Sequence, residues 1–249
     1  MNIVDIERAL IKRYRSKLYR PFVQAINKYD LIQEADKIAV CMSGGKDSFV
    51  LAKLFQELKR HGKIDFDVKY IVMNPGFNKI NLDTLVKNAE AMNIPIIIKE
   101  SNIFKVANEY GNGHPCYLCA RMRRGHLYAK AKELGCNKIA YAHHMDDIIE
   151  TFLLSLFYES RIHTFSPVTY LDRMELTLIR PFLYVSEGEI KGFAKESNLP
   201  VAKNPCPVDG YTKRQYVKDL LSNLKKDNNN IKKHIFRAIL SGEISGFHL

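Results

Sequence analysis

The chain has 249 residues, enough to bury a substantial core as one domain with appendages or as two small ones. Its 38 Lys and Arg against 27 Asp and Glu leave a net charge of +11, which points to a polyanionic partner, either nucleic acid or a membrane surface. No apolar run approaches a membrane span, the N-terminus lacks the apolar core of a secretory signal, and five cysteines favour metal or thiol chemistry over a disulfide framework. Cytoplasmic residence, with no membrane partner, is the resulting expectation.

Residues 1–30 read as one or two basic helices, with Pro21 opening the second, and carry Arg8, Lys12, Arg13, Arg15, Lys17 and Arg20. "KIAVCM" is then a short β run. From Phe49 the positions Val50, Leu51, Leu54, Phe55 and Leu58 recur at helical spacing, so strand passes into helix within Ser43–Asp47. Gly44 and Gly45 admit positive φ and let a ligand touch the backbone. The start of the following helix favours an anion, and Ser43, Lys46 and Ser48 add donors. A phosphate is the natural occupant; a tight turn capped by serine and aspartate is the alternative. The adjacent glycines fit neither the Walker spacing nor a dinucleotide fingerprint.

Further along come a strand at Phe66–Asn74, a helix at Ile80–Met92 and a strand at Ile94–Lys99. A helix at Tyr117–Leu134, a strand at Cys136–Ala142 and a helix through Tyr158 follow. This alternation predicts an α/β fold with a parallel sheet covered on both faces. Such sheets bind ligands beyond the carboxyl ends of their strands. Ser43–Ser48, Met73–Asn74 and His143–Asp147 all follow strand runs and can converge there. Residues 213–241 read as two lysine-rich helices separated by Asp227–Asn230. The expected organisation is basic helices over 1–31, a nucleotide-binding domain over 32–212 and basic helices over 213–249.

Cys116 and Cys119 form "CYLC", and two thiolates at this spacing can grip one metal ion or one edge of an iron–sulfur cluster. Cys206, between two prolines in "NPCPVDG", is a candidate third ligand. Three unrelated thiols, or a structural zinc completed by a histidine such as His114, are the alternatives. Cys41 and Cys136, in or beside strands, read as small core residues. "AHHMDDIIET" puts two histidines and two carboxylates where a strand turns into a helix. Asp146 and Asp147 there can hold Mg²⁺ beside a phosphate, and Asp147 can equally cap the helix. "RMRRG" brings Arg121, Arg123 and Arg124 beside both the thiols and the nucleotide; a solvated basic helix face is the bland reading, strongest for Arg124.

Taken together, "VCMSGGKDS", "CYLCARMRRGHLY", "AHHMDDIIET", "LIRPF" and "NPCPVDGYTKRQYVKDLL" resemble the tRNA 2-thiocytidine synthetase family of ATP pyrophosphatases, in the family's order and approximate spacing. The resemblance implies a Rossmann-like PP-loop domain and a [4Fe-4S] cluster held by Cys116, Cys119 and Cys206, with one iron free to carry sulfide. It implies ATP on Ser43, Gly44, Gly45, Lys46, Asp47 and Ser48, with Met73, Ala142 and His143 completing the nucleotide site. Lys46, Arg123, Asp146 and Asp147 are the expected catalytic residues, with Asp147 on Mg²⁺. Arg121, Arg124, Arg180, Lys213 and Arg214 are the expected RNA contacts. The implied partners are tRNA and a sulfur donor, either a cysteine desulfurase product or inorganic sulfide; a homodimer is the family's common assembly. Asp209 stands where better-known members carry a further cysteine, and residues from Gly188 to Lys203 also differ. A thiolase of another tRNA nucleoside, and a zinc-stabilised RNA-binding module with a regulatory or vestigial ATP site, are the competing readings. An amine-using ligase of the lysidine synthetase type would leave the three cysteines without a purpose.

Overall fold

The computed structural model describes residues 3–110, 115–202 and 213–242. The chain opens with α1 (Ile3–Ile11), a π-helical turn (Arg15–Tyr19) and α2 (Arg20–Lys28). It goes on through β1 (Lys37–Met42), α3 (Lys46–His61), β2 (Asp67–Asn74), α4 (Lys79–Ala91), β3 (Ile96–Glu100), α5 (Ile103–Tyr110) and α6 (Pro115–Glu133). After these come β4 (Lys138–Ala140), α7 (Met145–Tyr158), β5 (Val168–Leu171), β6 (Leu176–Ile179), α8 (Glu187–Glu196), α9 (Lys213–Asp227) and α10 (Ile231–Ser241).

The six strands form one sheet in the order β3-β2-β1-β4-β6-β5, parallel except for β5, which pairs antiparallel with β6. The chain steps outward from β1 to β3 and then returns to the far side of β1 for β4. Strand order therefore reverses between β1 and β4, where an open α/β sheet leaves a crevice for ligands. Burial on both faces explains why β1 is apolar throughout its centre instead of alternating.

The alternation appears in what each face meets. Ile38, Val40 and Met42 of β1, with Tyr70 and Val72 of β2, join the larger core cluster, to which α3 contributes Phe49, Leu51, Leu54 and Phe55. Ala39, Ile71 and Met73 face the smaller cluster, with Leu127 and Ala131 of α6. The terminal helices add Leu10, Leu18 and Phe22 at one end and Val217, Leu221 and Phe236 at the other, all to the larger cluster. Lys53 of α3 is fully buried, its Nζ donating to Glu7 Oε1 at 2.6 Å, to Gln56 Oε1 at 2.6 Å and to the Met92 carbonyl at 3.3 Å. This cation ties α1 and the end of α4 to α3.

The strands expected at β1 to β3 and the helices at α3, α4, α6 and α7 are present. The run from Cys136 to Ala142 contracts to Lys138–Ala140, the residues that pair with both neighbours. α6 starts earlier than expected, at Pro115, a position where the missing N–H costs nothing. The sequence reading missed the β5–β6 pair, because each strand has four residues flanking a charged turn and is set by pairing. No helix among the described residues is long and apolar enough to cross a membrane.

Candidate functional site

Ser43, Gly44 and Gly45 link β1 to α3 at the point where strand order reverses. Gly44 has φ +82°, a conformation that favours glycine, and a Cβ there would press on Leu85 Cδ1 at 2.9 Å. Ser48 closes the loop: its Oγ donates to the Gly45 carbonyl at 2.9 Å and accepts from the Ser43 N–H at 3.2 Å. The Gly44 carbonyl accepts from the Ala202 N–H at 3.0 Å, fastening the loop to the segment after α8. Gly45, the N-cap of α3, gives that helix no side-chain cap. The first-turn amides are thus left without a side-chain cap and suit an anion.

Lys46 reaches Asp47 Oδ2 at 3.0 Å and Glu187 Oε1 at 3.3 Å. Burial works against the lysine's charge, but Asp47 and Glu187 outweigh it and raise the pKa. Glu187 is also partly buried, yet a hydrogen bond from Lys191 and the charges of Lys218 and Lys46 bring its carboxyl down to about 2. Its backbone N–H donates to Asp146 Oδ2 at 2.7 Å, and Lys232 Nζ donates to Asp146 Oδ1 at 2.6 Å. Both oxygens of buried Asp146 are therefore engaged, fixing the start of α8 and anchoring α10 on α7. Sequence reasoning missed Glu187 and Lys232, which look like ordinary exposed helix residues; an acid opening α8 was the one signal available.

At the neighbouring edge His144 caps α7. Its Nδ1 accepts from the Asp147 N–H at 3.3 Å while Asp147 Oδ2 accepts from the His144 N–H at 3.0 Å, a reciprocal capping box. His144 Nε2 stands 4.0 Å from Asp47 Oδ1, a buried oxygen with no hydrogen-bond partner among the described residues. Arg214 Nη1 lies 3.3 Å from Asp147 Oδ1 and 3.1 Å from Glu150 Oε2, and Lys213 Nζ stands 4.3 Å above the Tyr158 ring. These two bases dock α9 onto α7. Arg180 is buried, donating to Thr169 Oγ1 at 3.1 Å, to the Ser166 carbonyl and to His143 Nδ1 at 3.4 Å.

α6 carries the thiol pair in its first turn. Cys116 is exposed and Cys119 half-buried, and their i, i+3 spacing sets both on one face of the helix. Farther along, Arg121 and Arg124 are exposed and Arg123 is half-buried. Cys206, His114 and Asp209 lie outside the described residues, and among those described no three His, Cys, Asp or Glu side chains converge on a metal position. Two thiols on one helical turn fit two ligands of an iron–sulfur cluster. Cys41 and Cys136 pack in the smaller core, and burial pushes the Cys41 thiol up to about 12. Met73, the penultimate residue of β2, is likewise buried there.

A parallel sheet with a glycine phosphate loop at its strand-order reversal defines a nucleotide-binding α/β protein of the loop type that grips pyrophosphate. The model of the PP-loop domain family matches residues 13–240. The tRNA-cytidine(32) 2-sulfurtransferase of Geobacter metallireducens is 34% identical over 92% of this chain and 90% of its own length. That of Geotalea daltonii is 36% identical over 94% and 93%. Among solved structures, the U34-tRNA thiolase NcsA from Methanococcus maripaludis, with its [4Fe-4S] cluster, superposes with a TM-score of 0.74 at 25% identity, covering 97% of this chain and 82% of that one. The chain belongs to the tRNA-cytidine 2-sulfurtransferase family of PP-loop enzymes.

Proposed function

We propose that the protein is an ATP-dependent tRNA thiolase that activates the C2 carbonyl of cytidine 32 and exchanges its oxygen for sulfur. The observation that carries this reading is the joint presence, in a chain of the tRNA sulfurtransferase family, of an uncapped phosphate loop and a thiol- and arginine-bearing helix. In the first step the C2 oxygen attacks the α-phosphorus of ATP, the bond to the bridging oxygen breaks, and pyrophosphate leaves. The amides of Gly45 to Ser48 and the Lys46 ammonium hold the departing pyrophosphate, and Arg123 neutralises charge on the α-phosphate. Lys46 turns from Glu187 to the phosphates as it does so. Asp147 would hold Mg²⁺ once Arg214 releases its Oδ1. A [4Fe-4S] cluster on Cys116, Cys119 and Cys206 would supply the sulfide that replaces the activated oxygen as AMP departs. The sulfur comes from a cysteine desulfurase or from inorganic sulfide, tRNA lies on the basic helices, and the reaction runs in the cytoplasm, where tRNA is found.

The test is nucleoside mass spectrometry on unmodified tRNA incubated anaerobically with reconstituted protein, ATP, Mg²⁺ and sulfide. We expect 2-thiocytidine at position 32 from the wild type. Cys206→Ala should form no thionucleoside yet still release pyrophosphate in the presence of tRNA. A colourless protein with stoichiometric zinc and no thionucleoside would overturn the reading in favour of a zinc-stabilised RNA-binding module.

A further inference from the structure

Between α6 and the outer strands β6 and β5 lies a cleft of about 590 Å³, a size that suits a small ligand. Arg123, Arg124 and Tyr128 line it from α6, and Thr169 and Leu178 from the sheet. An aromatic column lines the remainder. Tyr141 stacks on His143 with centroids 5.3 Å apart, and His143 stacks on Phe165 at 4.7 Å with the planes 3° from parallel. Arg180, 5.1 Å from the Phe165 centroid, is bonded to both His143 and Thr169 and so locks the column in place. Rigid aromatic faces with cations at the rim are how proteins take single-stranded RNA: bases stack on the rings and phosphates meet the guanidinium groups.

The cleft is separate from the nucleotide loop, since neither Ser43–Ser48 nor Met73 lines it. It nevertheless reaches residues adjacent to both candidate sites. Its lining includes Ala120, the residue after Cys119, and His143, the residue after Ala142. An occupant lies between the thiol-bearing turn and the strand ends beside the phosphate loop, as an atom that meets first ATP and then sulfide must.

We propose that this cleft receives the target pyrimidine, unstacked from its RNA strand, with its ring against Tyr128 and the Tyr141–His143–Phe165 column and its 5′ phosphate at Arg124; the assignment rests on the thiolation reading above. Tyr128, Tyr141 and Phe165 thereby become substrate-positioning residues, and Arg180 supports them.

The experiment uses the reconstituted full chain and tRNA carrying a fluorescent cytidine analogue at position 32. Stacking in the cleft should quench the analogue on binding. Phe165→Leu and Tyr128→Leu, which keep bulk and remove the aromatic face, should lose that quenching. Each should raise KM for tRNA about tenfold, the scale of one base–ring stack, while ATP affinity holds. Phe165→Tyr should restore both, which separates loss of stacking from loss of folding. Wild-type quenching and KM in both Leu variants, with thiolation intact, would overturn the cleft and leave the function standing. A wild type that quenches the analogue but makes no thionucleoside would instead overturn the function.

Discussion

His143 shows how one residue couples the site to solution conditions. It is sandwiched between Tyr141 and Phe165, and burial lowers its pKa from 6.5 to about 4. Between those two values the unfolded chain binds a proton that the folded chain refuses. The stabilisation is therefore complete above about pH 6.5 and declines as the pH falls toward 4, at a cost on the order of 1–3 kcal/mol. Glu187, held near 2, responds only at lower pH. His143→Phe keeps the stack and removes the titration, so its urea midpoint should change less than the wild type's between pH 7 and pH 4.5. Parallel curves for the two proteins would place the acid sensitivity elsewhere.

At the scale of elements, α7 is the hub. Asp146 takes Lys232 from α10 and the N–H of Glu187 from α8, while Asp147 and Glu150 share Arg214 from α9. Three acids within the first two turns thus assemble three helices around the phosphate loop. Lys232→Met leaves Asp146 buried at 3% exposure without its ammonium partner. We expect a loss of about 2–3 kcal/mol, somewhat below a fully buried pair because Lys232 is a third exposed. Thermal melts would record it. A variant melting with the wild type would show that the α7–α10 contact rests on packing alone.

Over the whole molecule, some of the basic side chains behind the net charge of +11 are already paired with acids. Arg13 pairs with Glu196 at 2.7 Å and Lys17 with Glu189 at 3.1 Å, across the seam between the N-terminal helices and α8. These pairs are half-exposed and contribute little to stability, so a polyanion can displace the acids. If four tRNA phosphates are neutralised, tripling the salt concentration should weaken binding about thirtyfold. Filter binding across a salt series would measure the slope, and an affinity insensitive to salt would remove the basic helices from the tRNA interface.

The sequence by itself determined the strand–loop–helix at Ser43–Ser48, the thiol pair of α6 and the capped start of α7. Each is written in consecutive residues, where glycine, cap and periodicity act locally. It also marked residues 1–31 and 213–249 as outer basic helices, but not that Leu10, Phe22, Val217 and Phe236 complete the central core. Asp146 was read as a catalytic acid; its two oxygens are engaged by residues 41 and 86 positions away. The β5–β6 pair, the aromatic column of Tyr141, His143 and Phe165, and the hold of Glu187 on Lys46 across 141 residues were decided only by tertiary structure. Such contacts join segments with no shared local pattern, and their energy exists only once the sheet has brought those segments together.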